Sequence, residues 1–348
     1  MAKYPEENQN LQVLKQHLKE KKLGNFYIFF GEEAFLLQHY LEQMKKQLLD
    51  ELTESFNYHK FTGENFHLQA FTDAVENLPM MSEHTLVLLD DIDFFKMGEA
   101  EREKLTSVFS DIPEYCTVVA VYQTVPWKLD KRYKKLSDAI TTNAMIVEFP
   151  KQSQRDLIPW ITRHFAAAQK KIPTDLCVYL IEIAGGTMTA LAGEIKKICA
   201  YSGADVIKKS DIDAVTEPVL DAAVLQMTNY LGQGNYALAL QDLHKLLKQQ
   251  EEPLMILGSI GAQFRRISAA KILVDHGKGA GEFMKLYGAS DYAARKTMDT
   301  ARRFSADFCK KAAERIVLTD YQIKTSVDDP DRLLEMLLLY LAQEVRHG

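Results

Sequence analysis

Short apolar runs alternate with amphipathic segments along the first part of the chain. The apolar runs are rich in β-branched and aromatic residues, as in buried strands; they occupy residues 25–30, 56–61, 85–89, 116–122 and 145–149. Between them, apolar residues recur at steps of three and four, as at Leu37, Leu41 and Met44, and this spacing predicts helices. Strands that alternate with helices indicate a mostly parallel sheet with helices on both faces. Residues 1–150 are therefore predicted to form an α/β domain.

The strand pattern stops after Pro150, and the rest of the chain is helical in pattern. Residues 151–216 predict a small helical domain, and residues 217–348 predict a longer all-α domain. The last helical segment carries a broad leucine face: Leu333, Leu334, Leu337, Leu338 and Leu341. Such a face must be buried, either within its own domain or against a neighbouring subunit.

An apolar cluster stands just before the strand pattern at 85–89. The helical pattern that precedes it has one apolar stripe: Leu68, Phe71 and Val75. Pro79 is expected to end this helix, and Leu78, which continues the stripe, is the member of the cluster that the pattern most favours as a core residue. Met80 and Met81 follow, either as core residues at a helix–strand junction or as a contact with another protein.

The charge balance argues against a dominant nucleic-acid-binding surface. The 348 residues are 47% hydrophobic and 26% charged, with a formal net charge of −6. One local basic run, residues 127–136, could face DNA or an acidic partner, although a solvated helix face is the favoured reading. Arg265 and Arg266 lie in a helical context, where pairing within the domain and pairing across a subunit boundary are equally open.

Cysteine usage and hydropathy indicate a cytoplasmic protein. The four cysteines are widely spaced and form no CxxC pair, which is typical of small core side chains in a reducing compartment. No leader pattern opens the chain, and no apolar run approaches the roughly 20 residues of a membrane span, so no membrane partner is expected.

The junction after the first strand tests for nucleotide hydrolysis. A phosphate-binding loop needs a second glycine, a lysine and a hydroxyl residue at fixed distances from the first glycine. Counted from Gly31, these positions hold Leu36, Leu37 and Gln38, and two carboxylates, Glu32 and Glu33, would repel phosphate. Hydrolysis of ATP by this chain is therefore not expected, even if the fold is that of an ATPase.

The third strand ends in Asp90 and Asp91, in the manner of a Walker B strand that holds magnesium. Without a phosphate loop, these carboxylates are expected to face solvent or to cap a turn. The chain contains neither HExxH nor GxSxG. We therefore predict no catalytic residue, no metal ligand and no cofactor.

Five segments, in this order and spacing, resemble a known family. They read "YIFFGEEAFLL", "LPMMSEHTLVLL", "GGTMTALAGEIKKICAY", "GAQFRRI" and "LTDYQIK". Together they resemble the δ subunits of the bacterial DNA polymerase III clamp loader. The resemblance implies a fold of class α/β plus all-α: an AAA+-like parallel-sheet domain with a degenerate P-loop (1–150), a helical lid (151–216) and a C-terminal helical collar (217–348).

The resemblance also implies a function without chemistry in this chain. In that family an apolar pair on the first domain enters a pocket of the ring-shaped sliding clamp and helps to open the ring. The matching clamp-binding residues here are Leu78, Pro79, Met80 and Met81, with the two methionines in place of a Leu-Phe pair. The implied partners are the β sliding clamp, the clamp loader ATPase subunits and the δ′ subunit. DNA is reached through the assembled complex, a component of the DNA polymerase holoenzyme.

Two other functions remain open at this point. One is a nucleotide-hydrolysing AAA+ protein with an atypical phosphate site. The other is a helical adaptor unconnected to DNA, which the clamp and the loader ATPases would not bind.

Overall fold

The computed structural model describes residues 7–347, with side chains described for residues 9–345. The chain divides into two compact units, Met1–Gln152 and Ser153–Gly348. The first unit contains five strands and six α-helices among its described residues, and the second contains eleven helices among its own.

The first unit alternates helices and strands, as the apolar pattern predicts. In chain order its elements are α1 (Glu7–Glu20), β1 (Phe26–Phe30), α2 (Ala34–Leu48), α3 (Glu54–Asn57), β2 (Tyr58–Thr62), α4 (Leu68–Glu76), β3 (Thr85–Asp90), a 3₁₀ turn (Phe94–Lys96), α5 (Glu99–Ser110), β4 (Cys116–Tyr122), α6 (Lys134–Asn143) and β5 (Met145–Glu148).

The five strands form one sheet in the order β2-β3-β4-β1-β5, and every pairing is parallel. In the two central strands Ile28 lies opposite Ala120, and β4 is buried along its whole length. Because all strands run the same way, β1, β3 and β4 present their carboxyl ends at one edge of the sheet. In parallel sheets that edge is where ligands usually bind.

Alternate side chains of each strand enter two separate cores, because successive strand residues point to opposite faces. Phe26 and Ile28 of β1 pack with residues of α4, α5 and α6. Tyr27 and Phe29 of the same strand pack with residues of α1 and α2 on the other face. The predicted parallel sheet with helices on both faces is confirmed.

The second unit is helical, with a single isolated β-bridge between Lys171 and Val206 among its described residues. Its helices are α7 (Gln154–Ala167), α8 (Thr174–Ala184), α9 (Met188–Tyr201), α10 (Lys209–Val215), α11 (Leu220–Gly232), α12 (Tyr236–Lys248), α13 (Pro253–Asp275), α14 (Ala280–Tyr287), α15 (Asp291–Ala301), α16 (Ala306–Thr325) and α17 (Pro330–His347).

The leucine face of α17 is buried within its own unit. Its five leucines are each at most 6% exposed, and four of them join a core built from α11 to α17. Among the described residues no single helix has the length and apolar composition needed to cross a membrane; α8 and α9 meet that test only as a pair, bent by 118°.

Three local differences from the predicted pattern have physical reasons. Residues 56 and 57 belong to the single turn α3, because Asn57 N–H bonds to Thr53 O before the chain extends into β2. Helix α6 begins at Lys134 rather than near residue 130, since Asp130 holds the preceding turn through the Ser137 hydroxyl. Helix α1 completes the face covered by α2, and the sequence pattern alone did not indicate it.

Candidate protein-binding site and the phosphate-loop position

The connection from β1 to α2 is too short to enclose a phosphate. It consists of Gly31, Glu32 and Glu33, so the positions that a P-loop would give to its second glycine and lysine lie inside α2. Leu37, at the lysine position, is fully buried. The Glu33 N–H, which could face an anion, donates to Phe149 O at 2.9 Å. The main chain at this edge therefore bonds to Phe149, the residue that follows β5, instead of surrounding a ligand.

Gly31 makes this close approach possible. Its φ is +130°, and a Cβ atom at this position would lie 2.3 Å from Phe149 O. Any larger residue would meet main-chain atoms that cannot move aside without breaking the Glu33–Phe149 and Phe149–Phe30 hydrogen bonds. The glycine that resembles the start of a phosphate loop thus packs a helix against a strand.

Asp91, directly after β3, binds the loop that follows β4. Its carboxylate accepts hydrogen bonds from the backbone N–H groups of Gln123, Thr124 and Val125 and from the Thr124 hydroxyl, at 2.8–3.1 Å. Burial opposes the charged form, but these donors outweigh it and lower the pKa of Asp91. The carboxylate fastens the loop after β4, in agreement with the prediction that it caps a turn.

Asp90 is paired rather than free at the same edge. Its Oδ2 lies 2.7 Å from Lys60 Nζ, and this hydrogen bond is the main cause that raises the pKa of Lys60. Within the described residues, no group of three or more His, Cys, Asp or Glu side chains could hold a metal ion.

The cysteines behave as core side chains. Cys116, Cys177 and Cys309 are buried, and Cys199 is half-buried. Burial raises the pKa of Cys116 to about 12, so its thiol stays protonated and unreactive.

The loop at residues 77–84 presents the predicted clamp-binding residues to solvent. Met80 is 58% exposed, Met81 is 92% exposed, and Pro79 is half-buried. Leu78 is 74% exposed, which excludes the alternative that it is a core residue continuing the helical stripe. Helix α4 ends at Glu76, and Asn77 takes an extended conformation (ψ 141°), which carries Leu78 away from the helical stripe.

This loop is held at both ends and in the middle. The Tyr115 hydroxyl donates to Glu76 O at 2.7 Å, and Tyr115 O accepts from Thr85 N–H at 2.8 Å. In the middle, Asn57 Oδ1 accepts from Met80 N–H at 2.7 Å and Asn57 Nδ2 donates to Met80 O at 2.9 Å. The Asn57 side chain, 1% exposed, thus fixes the backbone of Met80.

Met81 follows in a left-handed conformation, with φ +54°. Such a conformation is costly for a non-glycine residue and persists only where the surroundings determine it. The consequence is that the methionine tip, which we define as Leu78, Pro79, Met80 and Met81, is apolar, exposed and held in one conformation.

The basic run at 127–136 is only partly helical, since α6 begins at Lys134. Its lysines are exposed, whereas Trp127 and Tyr133 are half-buried. Arg132 pairs with Asp130 at 2.6 Å. Arg265 and Arg266 are exposed on α13 and form no ion pair with a described residue, so of the two alternatives, pairing within the domain is not seen in the part that the structure describes.

Taken together, these features define an AAA+-like α/β domain joined to a helical C-terminal region. The family model described as "DNA polymerase III, delta subunit" matches residues 27–150, and "DNA polymerase III delta subunit, C-terminal domain" matches residues 221–341.

A sequence and a solved structure from Bacillus subtilis are each similar along nearly the whole chain. DNA polymerase III subunit delta of strain 168 is 29% identical over 331 residues, covering 93% of this chain and 94% of that protein. The solved structure of the DNA clamp loader delta protein aligns with a TM-score of 0.56 at 26% identity, covering 96% of this chain and 99% of that one. The chain belongs to the family of DNA polymerase III delta subunits.

Replacing Gly31 by alanine should destabilise the first unit. The Cβ atom would collide with Phe149 O at a strained φ, and we expect a loss of about 2 kcal/mol or more in the free energy of unfolding. Urea denaturation measures this loss. Gly193→Ala is the matched control, because nothing lies within 4 Å of a Cβ at this helical position and stabilisation by about 0.5–1 kcal/mol is expected. Equal effects of the two variants would contradict the packing role of Gly31.

Asp91→Asn should destabilise the protein by about 1 kcal/mol at neutral pH, after allowance for solvent screening of this partly exposed group. The folded-state pKa of Asp91 is lowered, so its contribution is complete above its ordinary value of 3.8 and is lost as the pH falls below it. The difference in unfolding free energy between wild type and variant should therefore shrink on acidification. A constant difference across that range would exclude the charged hydrogen bonds as its cause.

Asn57→Ala should release the methionine tip. It removes both hydrogen bonds to Met80 and one to Thr53 O, and we expect a loss of about 1–3 kcal/mol in unfolding free energy. Limited proteolysis should show faster cleavage within residues 77–84. Asn65→Ala is the control, since Asn65 is exposed and, among the described residues, its side chain bonds to Thr62 alone. Unchanged cleavage in Asn57→Ala would show that Asn57 does not hold the loop.

Proposed function

We propose that this protein is the clamp loader subunit that binds the sliding clamp and helps to open its ring for loading on primed DNA. Family membership supports the clamp loader role, and one structural observation supports the binding site. Met80 and Met81 project from a loop that three sets of hydrogen bonds hold in place. Two exposed large apolar side chains on a well-held loop are typical of a protein contact.

Methionine suits such a contact in the absence of an aromatic side chain at the tip. Its side chain is unbranched and polarizable and fills irregular apolar pockets. Because the tip is already held in one conformation, less conformational freedom is lost on binding than for a mobile loop. The position of Pro79 before the two methionines limits that freedom further.

Opening the clamp needs no chemistry in this chain. A subunit that binds the open ring more tightly than the closed ring shifts the equilibrium by that difference in affinity. The three-residue β1–α2 connection and the buried Leu37 leave no room for a P-loop, so ATP hydrolysis is assigned to partner ATPase subunits. A nucleotide-hydrolysing role is not favoured by any described feature.

The helical region is assigned to assembly. We divide it into a lid (151–216) and a collar (217–348), the latter coinciding with the core formed by α11 to α17. Large apolar side chains are exposed on two helices of the collar: Val317, Leu318, Tyr321, Met336 and Leu339. They suit contacts with the ATPase subunits and δ′ in a cytoplasmic complex, through which DNA is reached.

The double substitution Met80→Ala and Met81→Ala should weaken clamp binding. Burial of each methionine contributes on the order of 1.5–3 kcal/mol, so the dissociation constant should rise at least tenfold. Isothermal titration calorimetry of this protein with the sliding clamp of its own organism measures the dissociation constant. Leu286→Ala, at an exposed position of α14, is the control and should bind as wild type does.

Both variants should keep the wild-type circular dichroism and unfolding midpoint, because the substituted side chains are exposed. An unchanged dissociation constant in the double variant would reject the methionine tip as the clamp-binding site. No detectable binding of the wild-type protein to the clamp would reject the proposed function itself.

A further inference from the structure

Exposed apolar side chains of the first unit are concentrated in one place. Among residues 9–152, the exposed large apolar side chains come from two short segments, 50–57 and 76–83. The methionine tip accounts for three of them, and Leu52 (87% exposed) and Phe56 (56% exposed) account for the other two. Scattered exposed residues would be ordinary, but this grouping is not.

The two segments are bonded to each other. Asn57, at the end of α3, forms both of its hydrogen bonds to Met80 with one side-chain amide, so the two main chains lie within the reach of a single asparagine. The same amide donates to Thr53 O at 3.1 Å. The turn 50–57 and the methionine tip therefore form one structural piece.

Leu52 and Phe56 both lie on the segment that Asn57 joins to the loop. Thr53 N–H bonds to Asp50 O, and the N–H groups of Phe56 and Asn57 bond to Thr53 O. Leu52 precedes α3, and Phe56 lies within it, directly before Asn57. The two side chains are therefore exposed on a segment that is bonded to the methionine tip.

Contacts with α2 also stabilise the turn 50–57. Lys45 of α2 pairs with Glu54 at 2.7 Å and lies 4.3 Å from the ring centroid of Tyr58. The segment that carries Leu52 and Phe56 is thus attached to α2 and to β2. The turn 50–57 is therefore fixed by contacts with the rest of the first unit, as the methionine tip is.

The charged side chains within the two segments are all acidic, and two of them pair with lysines outside the segments: Glu54 with Lys45 and Glu76 with Lys104. Segments 50–57 and 76–83 contain five carboxylates and neither lysine nor arginine: Asp50, Glu51, Glu54, Glu76 and Glu83. Glu51 and Glu83 are exposed and form no ion pair with a described residue. An apolar patch with an acidic edge fits a partner cleft that is apolar inside and basic at its rim.

We propose that Leu52 and Phe56 belong to the clamp-binding surface, so that one apolar cleft of the sliding clamp receives the turn 50–57 together with the methionine tip. This inference rests on the proposed function. Phe56 supplies the aromatic ring that the tip lacks, and aromatic side chains often dominate the energetics of interfaces. The acidic edge steers this surface toward basic residues around the cleft.

The test compares dissociation constants for the purified clamp of the same organism. Leu52→Ala with Phe56→Ala should raise the constant at least fivefold, and Phe56→Leu should raise it less, because part of the apolar volume remains. A variant that combines Leu52→Ala and Phe56→Ala with the two methionine substitutions tests whether the two pairs share one cleft. The fold-increase in its dissociation constant should differ from the product of the fold-increases of the two double variants. Glu51→Gln with Glu83→Gln should slow association and reduce its dependence on salt.

Tyr201→Ala, at a residue of α9 that is 59% exposed, is the matched control and should bind as wild type does. If the methionine double variant weakens binding and the Leu52/Phe56 variant does not, the composite surface is overturned while the proposed function stands. If neither pair affects binding, both the methionine tip and the composite surface are rejected as the clamp-binding site, whereas the proposed function fails only if the wild-type protein does not bind the clamp. Circular dichroism confirms that each exposed-residue variant is folded.

Discussion

The two hydrogen bonds between the Asn57 side chain and the Met80 main chain determine the arrangement of the candidate site. They join the turn before β2 to the loop before β3, two segments 23 residues apart in the chain. Because the amide is buried, each bond is protected from competition with water. The same contact joins the segment that carries Leu52 and Phe56 to the methionine tip and fixes the backbone of Met80. An exposed apolar loop without such support would lose conformational freedom on binding and would bind more weakly.

The sheet edge where an ATPase would bind nucleotide is closed by the protein's own groups. Gly31 allows the β1–α2 connection to lie against Phe149, and Asp91 accepts the donors of the loop after β4. Both residues resemble elements of a nucleotide site in sequence, yet each stabilises the fold. A chain that binds no phosphate here can use these positions for packing, and the proposed site for protein contact lies elsewhere on the same domain.

The alternation of strands and helices, the parallel sheet and the buried face of α17 were predictable because each depends on local periodicity. The degenerate phosphate loop was predictable from residue identities at fixed spacing. The position of Leu78 was not, because the prediction extended the helical stripe beyond Glu76, where the chain in fact becomes extended. The exposure of Leu52 and Phe56 could not be predicted from the sequence, since a leucine and a phenylalanine near a strand pattern are usually buried.

The sequence by itself determined the order of elements, the absence of a Walker lysine and the presence of an apolar cluster ahead of β3. Whether that cluster is buried depends on where α4 ends and on what the neighbouring turn bonds to, and these are contacts between distant segments. Only the tertiary structure decided that Met80 and Met81 are exposed and that Leu52 and Phe56 accompany them. The physical reason is that periodicity describes one element at a time, whereas exposure depends on which elements meet.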